Sequence, residues 1–594
     1  MTPIGERGAC LRVYHIDDTF SGTLAAPGAA WLGRPIRQWF LDRGISIAAA
    51  GLAPDTDLQR AALFPIVPET EIDPEFLAWM FQEEPKQDAR FSKRWIELPR
   101  ISAAEICEQI NLARHFTQQS ENRRDCLLPL LRNDRFSVFC KLDLKATAAL
   151  FAEGKHELPA TEADTATVLE PMQRIREQMF RSEVQRLRRR DGWPESAAAA
   201  FHLLRELIIG TVELHGVRPQ KKTLPDQIIW GRCPVRMDLA GGWTDTPPYC
   251  LENGGRVVNL AVDLNGQPPI QVFARVASKP ELVLRSIDLG IERRIRTYEE
   301  LDTFSRLDNT FPLAKAAFAL AGFLPRFLEP PRFATLTRQL EDYGGGIEVS
   351  ILAAVPKGSG LGTSSILAVT LLSTLSELCG LNWSPETLFN RALALEQMLT
   401  TGGGWQDQAG GMYRGAKLIE TQPGLAQQPV LQWLPEHIFG ESTANKLILL
   451  YYTGVTRLAK NILDEIVRSI FLNAGGALRI LEDIGANASA AANAIQRCDY
   501  EALTESVRAS WRLNQALDSG TNPPPIQAIL DPMQDWLAAA KLLGAGGGGY
   551  VLLFAKDETA AQRIRRHLVD NPPNPAARFV HFSLSQTGLH KTSS

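Results

Sequence analysis

No apolar run in this chain approaches the roughly 20 residues a bilayer-spanning helix needs; the longest, such as 447–452, are far shorter. Charged residues Glu6, Arg7, Arg12, Asp17 and Asp18 interrupt the first thirty positions, which leaves no apolar leader segment there. The eight cysteines are scattered, with no C-x-x-C and no close Cys/His spacing, so neither a zinc site nor a disulfide framework is expected. A charge excess of one sign is also missing. Lys and Arg total 63 against 67 Asp and Glu, a formal charge of -4, and nothing draws nucleic acid or an anionic membrane over the whole surface. These absences point to a soluble protein of the reducing cytoplasm.

The composition that remains, 45% hydrophobic and 22% charged over 594 residues, is that of an ordinary globular protein with three or four domain-sized units. Residues 1–160 carry short apolar runs broken by Gly, Pro and Asp, and read as a mixed, β-rich module. From 161 to about 215 the turn signals thin out and apolar residues recur at three- and four-residue spacing, with one break at Asp191-Gly-Trp-Pro194. That pattern predicts at least two amphipathic helices, a connector that closes in a linker by 224. Five arginines fall within 181–190; a solvated helix face offset by Glu177 and Glu183 is the expected reading, and a nucleic-acid or partner patch the alternative.

After the linker, strand-like runs alternate with helices and three glycine-rich segments appear. In Pro356-Lys-Gly-Ser-Gly-Leu-Gly-Thr-Ser-Ser365, a strand-like run precedes and an apolar helix follows. Glycines at 358, 360 and 362 let backbone N–H groups approach an anion at a helix start, where the dipole is positive. The pattern is neither the Walker loop nor G-x-G-x-x-G, and an ordinary strand-to-helix turn would also accommodate it. The second segment carries Glu396 on a helical pattern and Asp407 after Gly402-Gly-Gly404. Two carboxylates converging on one cavity could serve as metal ligand and proton acceptor, or be a solvated helix residue and a turn former. The third segment, 541–550, is expected as a tight loop packed on another loop and not as a tether, because a run of β-formers follows at once. Upstream, Trp230-Gly-Arg-Cys-Pro-Val-Arg-Met-Asp-Leu-Ala-Gly-Gly-Trp-Thr-Asp245 sets Arg236, Asp238, Trp243 and Asp245 around a Gly-Gly turn. Such a mixture suits a polyhydroxylated substrate beside a phosphate, although Arg236 could simply pair with Asp238.

In their order and spacing these segments resemble the three motifs of the GHMP small-molecule kinases over roughly residues 225–594. Three further stretches, 238–249, Tyr452-Thr-Gly-Val-Thr-Arg-Leu-Ala-Lys460 and Leu517-Asp-Ser-Gly-Thr-Asn-Pro-Pro524, resemble the L-fucokinases, including the kinase half of the bifunctional fucokinase/fucose-1-phosphate guanylyltransferases. The N-terminal third is similar to their connecting region, whereas the glycine-rich loop of a nucleotidyltransferase is missing from this sequence. The resemblance implies an α/β fold of the α+β type, two-lobed, with an ATP-binding domain over 225–425 and a C-terminal domain over 426–594. It implies ATP and Mg²⁺ as cofactors and a neutral sugar as substrate. Pro356, Lys357, Gly358, Ser359, Gly360, Leu361, Gly362, Thr363, Ser364 and Ser365 would hold the nucleotide phosphates, with Ser364 and Glu396 on the metal. Asp407 would be the general base, Arg236 would stabilise the transferring phosphoryl group, and Asp245, Trp243 and Gly404 would bind sugar.

Galactokinases have a Glu-His pair where this chain has Gly242-Trp243, a departure expected to suit the methyl group of a 6-deoxy sugar such as L-fucose. A heptose-phosphate kinase is the nearest alternative, with Arg256 the one obvious extra cation near Asp245. A catalytically silent sugar sensor is the alternative of another class.

Overall fold

The computed structural model describes all residues except 1, 12–14, 16, 83–87, 134–137, 155–157, 159–170, 307–309, 331, 357, 400–402, 441–443 and 456–459. It divides into two units, Met1–Arg132 and Asn133–Ser594. The expected boundary at 160 falls on undescribed residues.

In the first unit a four-stranded sheet is ringed by helices, the longest being Leu112–Arg132. The module is mixed, as expected, but its strands are short and helix exceeds strand, so "β-rich" is corrected. The reason lies in its aromatic core, which helices mostly carry: Trp39 and Trp95, both helical, meet Trp31 of the short strand Ala30–Trp31 with ring centroids 4.5–6.3 Å apart. The buried Arg43 guanidinium lies over Trp39 and donates to the carbonyls of Trp79, Met80 and Gln82. Those three acceptors make a buried cation tolerable.

In the second unit the two expected connector helices form, Pro171–Leu187 and Trp193–Ile209, separated at Gly192, whose φ of +92° suits glycine. Two of the five arginines of 181–190 form local ion pairs, Arg181 with Glu177 (2.6 Å) and Arg186 with Glu183 (2.6 Å). Arg188 donates to the carbonyls of Phe151 and Gly154. The connector is also fastened to the rest of this unit. Arg176 donates to Phe471 O, to Asn473 and to Glu252 Oε2. Asp143 accepts from Gly475 N, and Arg468 lies 3.5 Å from Glu183.

Three sheets carry the remainder. One has six strands in the order Ile291–Ile295, Leu282–Ser286, Gly346–Ala353, Ile270–Ala277, Ile229–Cys233 and His590–Ser593. Arg256–Leu264 is central to the second, pairing antiparallel with Val235–Ala240, Ala416–Glu420 and Phe582–Leu584. The third is antiparallel and holds Leu537–Leu542, Tyr550–Ala555, Ile448–Tyr452 and Arg578–Val580. A continuous apolar core runs from Val235, Met237 and Leu239 through Leu361 and Ile366 to Leu450, Val507, Leu552 and Phe554. It joins the strand carrying Arg236, the glycine loop and the C-terminal sheet, so their positions are mutually fixed.

Among the described residues no helix is long and apolar enough to cross a membrane, and no group of three or more His, Cys, Asp or Glu side chains could hold a metal ion. None of the eight cysteines is in a disulfide.

Candidate active site

The strand Gly346–Ala353 leads into the first glycine segment, and the helix Thr363–Leu378 leaves it with Gly362 as N-cap. Gly358, Gly360 and Gly362 have φ of +70°, +79° and +74°, left-handed backbone that excludes ordinary side chains. Contact enforces two of the glycines as well. A Cβ on Gly360 would fall 2.1 Å from Leu543 O, and one on Gly549 would fall 2.3 Å from Ser359 O. The third segment is therefore a loop packed on the first, as its sequence suggested, and Tyr550 N donates to Ser359 O (3.0 Å) to hold it there.

Two cavities flank the start of the Thr363–Leu378 helix. One, of about 610 Å³, is lined mainly by apolar side chains including Leu289, Ile291, Phe304, Phe311 and Leu367, with Gly358 and Thr363 at its polar end. The other, of about 440 Å³, is lined by Arg236, Gly242, Trp243, Asp245, Gly404, Gln406, Asp407, Asn514 and Ala545 among others. Ser364 and Glu396 line both. Ser359 and Leu361 line neither; they are buried, Ser359 against the third segment and Leu361 in the core. Lys357 lies outside the described residues.

Buried charges tie the second cavity together. Arg236 donates from Nε to Asp407 Oδ1 (2.7 Å) and from Nη1 to Asp238 Oδ1 (3.1 Å) and Gly360 O (2.8 Å), with Nη2 2.6 Å from Asp407 Oδ1. Arg236 thus makes the ion pair with Asp238 that its sequence allowed, and it reaches Asp407 as well. Lys541 Nζ bonds the other oxygen of Asp238, so two cations face two carboxylates. Burial alone would lower the Arg236 pKa, but Asp407 and Asp238 outweigh it and hold the guanidinium charged. For Lys541 burial wins over Asp238, and its ammonium titrates below the usual lysine range.

Glu396, on the helix Pro385–Leu399, accepts from Ser365 Oγ at 2.6 Å and from Gln408 Nε2 at 3.0 Å; Ser365 Oγ also lies 3.4 Å from Asp407 Oδ2. Burial, with a contribution from Asp407, raises the Glu396 pKa to about 7 against the bonds from Ser365 and Gln408. Ser364, one residue earlier on the helix, is exposed at the shared wall of the cavities.

Asp245 is 1% exposed and accepts from Gln406 N and from Trp243 N, both at 3.1 Å. Burial and then Asp407 raise its pKa to about 7. Gly404 sits against it, where a Cβ would fall 2.0 Å from Asp245 Oδ2. Trp243 has φ +86°, a left-handed conformation that costs a non-glycine residue of order 1–3 kcal/mol. Its ring packs in a buried cluster with Tyr249, Ile466, Ile470, Leu481 and Ile484. Gly242 has a packing reason of its own, since a Cβ there would lie 2.9 Å from Asp238 Oδ2. Arg256 is exposed, paired with Glu420 and bonded to Ser489, and is not part of the cavity lining.

The structure brings Arg236, Trp243, Asp245, Ser364, Ser365, Glu396, Gly404 and Asp407 to one cavity. Sequence reasoning missed the pairing of Lys541 with Asp238, and it missed Gln406, Gln408 and Asn514 altogether. Lys541 stands at the head of the third glycine segment, and an isolated lysine before a buried strand–loop was the available signal. Asn514, in the helix Tyr500–Leu517, carried none.

The site thus sets a glycine loop at a helix N-terminus beside two converging carboxylates, with a cavity on either side. Residues 332–415 match the GHMP kinases N terminal domain and residues 491–574 the GHMP kinases C terminal domain, so the chain carries both domains of that family.

The chain is 44% identical over 589 residues to the L-fucokinase/L-fucose-1-P guanylyltransferase of Bacteroides fragilis, covering 99% of this chain and 61% of that one. It is 26% identical over 606 residues to the bifunctional fucokinase/GDP-fucose pyrophosphorylase of Arabidopsis thaliana, 96% of this chain and 55% of the relative. A third relative, the D-glycero-alpha-D-manno-heptose 7-phosphate kinase of Campylobacter jejuni, is 24% identical over 327 residues, covering 54% of this chain and 87% of its own. The chain thus spans little more than half of the two bifunctional relatives it matches over nearly its whole length.

Proposed function

We propose that this chain is an ATP-dependent sugar 1-kinase that converts L-fucose to L-fucose 1-phosphate, acting in the cytoplasm. The observation that carries the reading is the meeting of two unlike cavities at Ser364 and Glu396. An apolar cavity that ends at a glycine loop suits a nucleobase with its phosphates at the helix N-terminus. A polar cavity holding Asp245, Asp407 and Arg236 suits a hydroxylated acceptor.

In the transfer, the anomeric oxygen attacks the γ-phosphorus, the β–γ bridging P–O bond breaks, ADP leaves, and the hydroxyl proton passes to Asp407. Arg236, held charged between two carboxylates, faces the negative charge spread over the phosphoryl oxygens. Asp245 and Trp243 orient the sugar, the carboxylate by hydrogen bonds and the ring by an apolar face. The oxygen donors Ser364 and Glu396 fit Mg²⁺, which takes few protein ligands and completes its shell with water and phosphate. When bound, such an ion would neutralise charge on the nucleotide phosphates.

A neutral sugar is favoured over a sugar phosphate because Arg236 is the only cation in the described lining of the second cavity, and two carboxylates already engage it. The relationship to the two bifunctional fucokinases supports the choice of L-fucose. The test is a coupled ADP-release assay across L-fucose, D-galactose, D-arabinose and heptose 7-phosphate. L-Fucose should give the highest kcat/KM, and Asp407→Asn should abolish ADP release while sugar binding stays measurable by calorimetry. Equal or better turnover of galactose would sink the fucose assignment, and full activity in Asp407→Asn would remove that residue from its role.

A further inference from the structure

The second cavity contains two amide side chains to which the proposed chemistry gives no task. Asn514 is 2% exposed and lines the cavity, yet its Oδ1 has no hydrogen-bond partner. Gln406 lines the same cavity, and its Oε1 is likewise buried without a partner. A buried amide oxygen left without a partner is costly to a fold, so two of them on one polar cavity mark positions a ligand would complete.

Asn514 is also held firmly. Its backbone carbonyl accepts from Thr521 Oγ1 (3.3 Å) and from Asp518 N (3.1 Å). Thr521 O in turn accepts from Gly547 N (2.9 Å), and a Cβ on Gly546 would press on Thr521 at 2.7 Å. Neighbouring Leu513 and Leu517 pack against the cluster that contains Trp243. The stretch 517–524 thus locks Asn514 between the Trp243 cluster and the third glycine segment. Asparagine has two χ angles and loses little freedom when so held, which suits it to reading a hydroxyl in a fixed place.

We propose that Asn514 is a specificity-determining residue that hydrogen-bonds one ring hydroxyl of the sugar, with Gln406 as a second reader of the same substrate. The assignment rests on reading this cavity as the sugar site. The alternative is an ordered water satisfying the amide, with no part in recognition.

Asn514→Leu, close in volume and without polar atoms, separates the two. As a sugar reader, the variant should raise the KM for L-fucose roughly tenfold, the loss of about one neutral hydrogen bond, with the KM for ATP unchanged. Its thermal midpoint should be equal or higher, because an unsatisfied amide has gone. Against 2-, 3- and 4-deoxy analogues, the wild type should discriminate by about tenfold at the hydroxyl Asn514 reads. The variant should treat that one analogue and the parent sugar alike. Asn514→Ala gives the same comparison should leucine fail to pack. A sugar KM within twofold of wild type, or unaltered discrimination against every deoxy analogue, overturns the assignment. Wild-type protein that turns over no sugar but binds one calorimetrically would refute the kinase reading while leaving Asn514 testable by sugar affinity; binding none refutes both.

Discussion

Replacing Lys541 by methionine removes one charge from the buried group behind the site and leaves the shape nearly intact. Lys541 is 0% exposed and Asp238 1%, so water cannot take over the lost bond. Taking one partner from a buried ion pair costs about 3–5 kcal/mol, because the other charge stays uncompensated. Here Asp238 Oδ1 retains Arg236 Nη1 at 3.1 Å and Gly544 N at 3.3 Å, which places the expected loss at the low end, about 3 kcal/mol. At about 2 °C per kcal/mol for a large unit, the calorimetric midpoint should fall by roughly 6 °C. Asp238→Asn should be milder, since Lys541 keeps the carbonyl of Asp238 at 3.1 Å and burial already eases its deprotonation. The double variant should be less destabilised than Lys541→Met alone, because neither charge is then stranded. A double-mutant cycle in which the two losses simply add, within about 0.5 kcal/mol, would refute the coupling.

Asp245 carries a pH dependence of known sign. Its carboxyl is raised from 3.8 to about 7 in the fold, so the folded state holds a proton that the unfolded chain has lost. Stability from this group is therefore full below pH 4 and falls as pH rises to about 7, by up to roughly 4 kcal/mol. Asp245→Asn should gain thermal midpoint relative to wild type over that interval and then level off; a difference constant from pH 4 to 8 would contradict it. Gly404→Ala should raise the KM for sugar by tenfold or more, with the ATP KM little changed, because its methyl would lie 2.0 Å from Asp245 Oδ2 and must displace that carboxylate. Steady-state kinetics with each substrate varied in turn decide it, and wild-type sugar KM would show that the loop yields without cost.

Local signals reached far into this protein. The strand, glycine-rich turn and helix could be read from 347–378, whereas the helical pattern around Glu396 and the glycine run before Asp407 left both readings of the two carboxylates open until the resemblance joined them. What stayed hidden was set by phase and distance. Consecutive helical residues point about 100° apart, so Ser365 turns to Glu396 while Ser364 faces the cavities, and spacing alone does not tell which does what. Ser359 and Leu361 sit in the loop motif but face the protein, because the third segment covers that side. Lys541 meets Asp238 across 303 positions, and no periodicity connects them. Gly242 illustrates the same limit: its departure from the galactokinase pair suggested a substrate methyl, whereas the Asp238 carboxylate occupies the space a side chain would need.

The fastening of the connector bears on where this chain can be cut or grafted. The glycine motifs begin near 230, yet Arg176 closes bonds with Phe471, Asn473 and Glu252, and Glu252 stands on the helix Tyr249–Asn253 just after the Asp245 turn. A fragment trimmed to the motifs would strand that carboxylate and the Phe471 carbonyl and uncover the Phe471 ring, against which Phe201 of the second connector helix packs. The transplantable unit is accordingly the whole of Asn133–Ser594, in which the connector helices brace the segment that follows the Asp245 turn from outside the cavity.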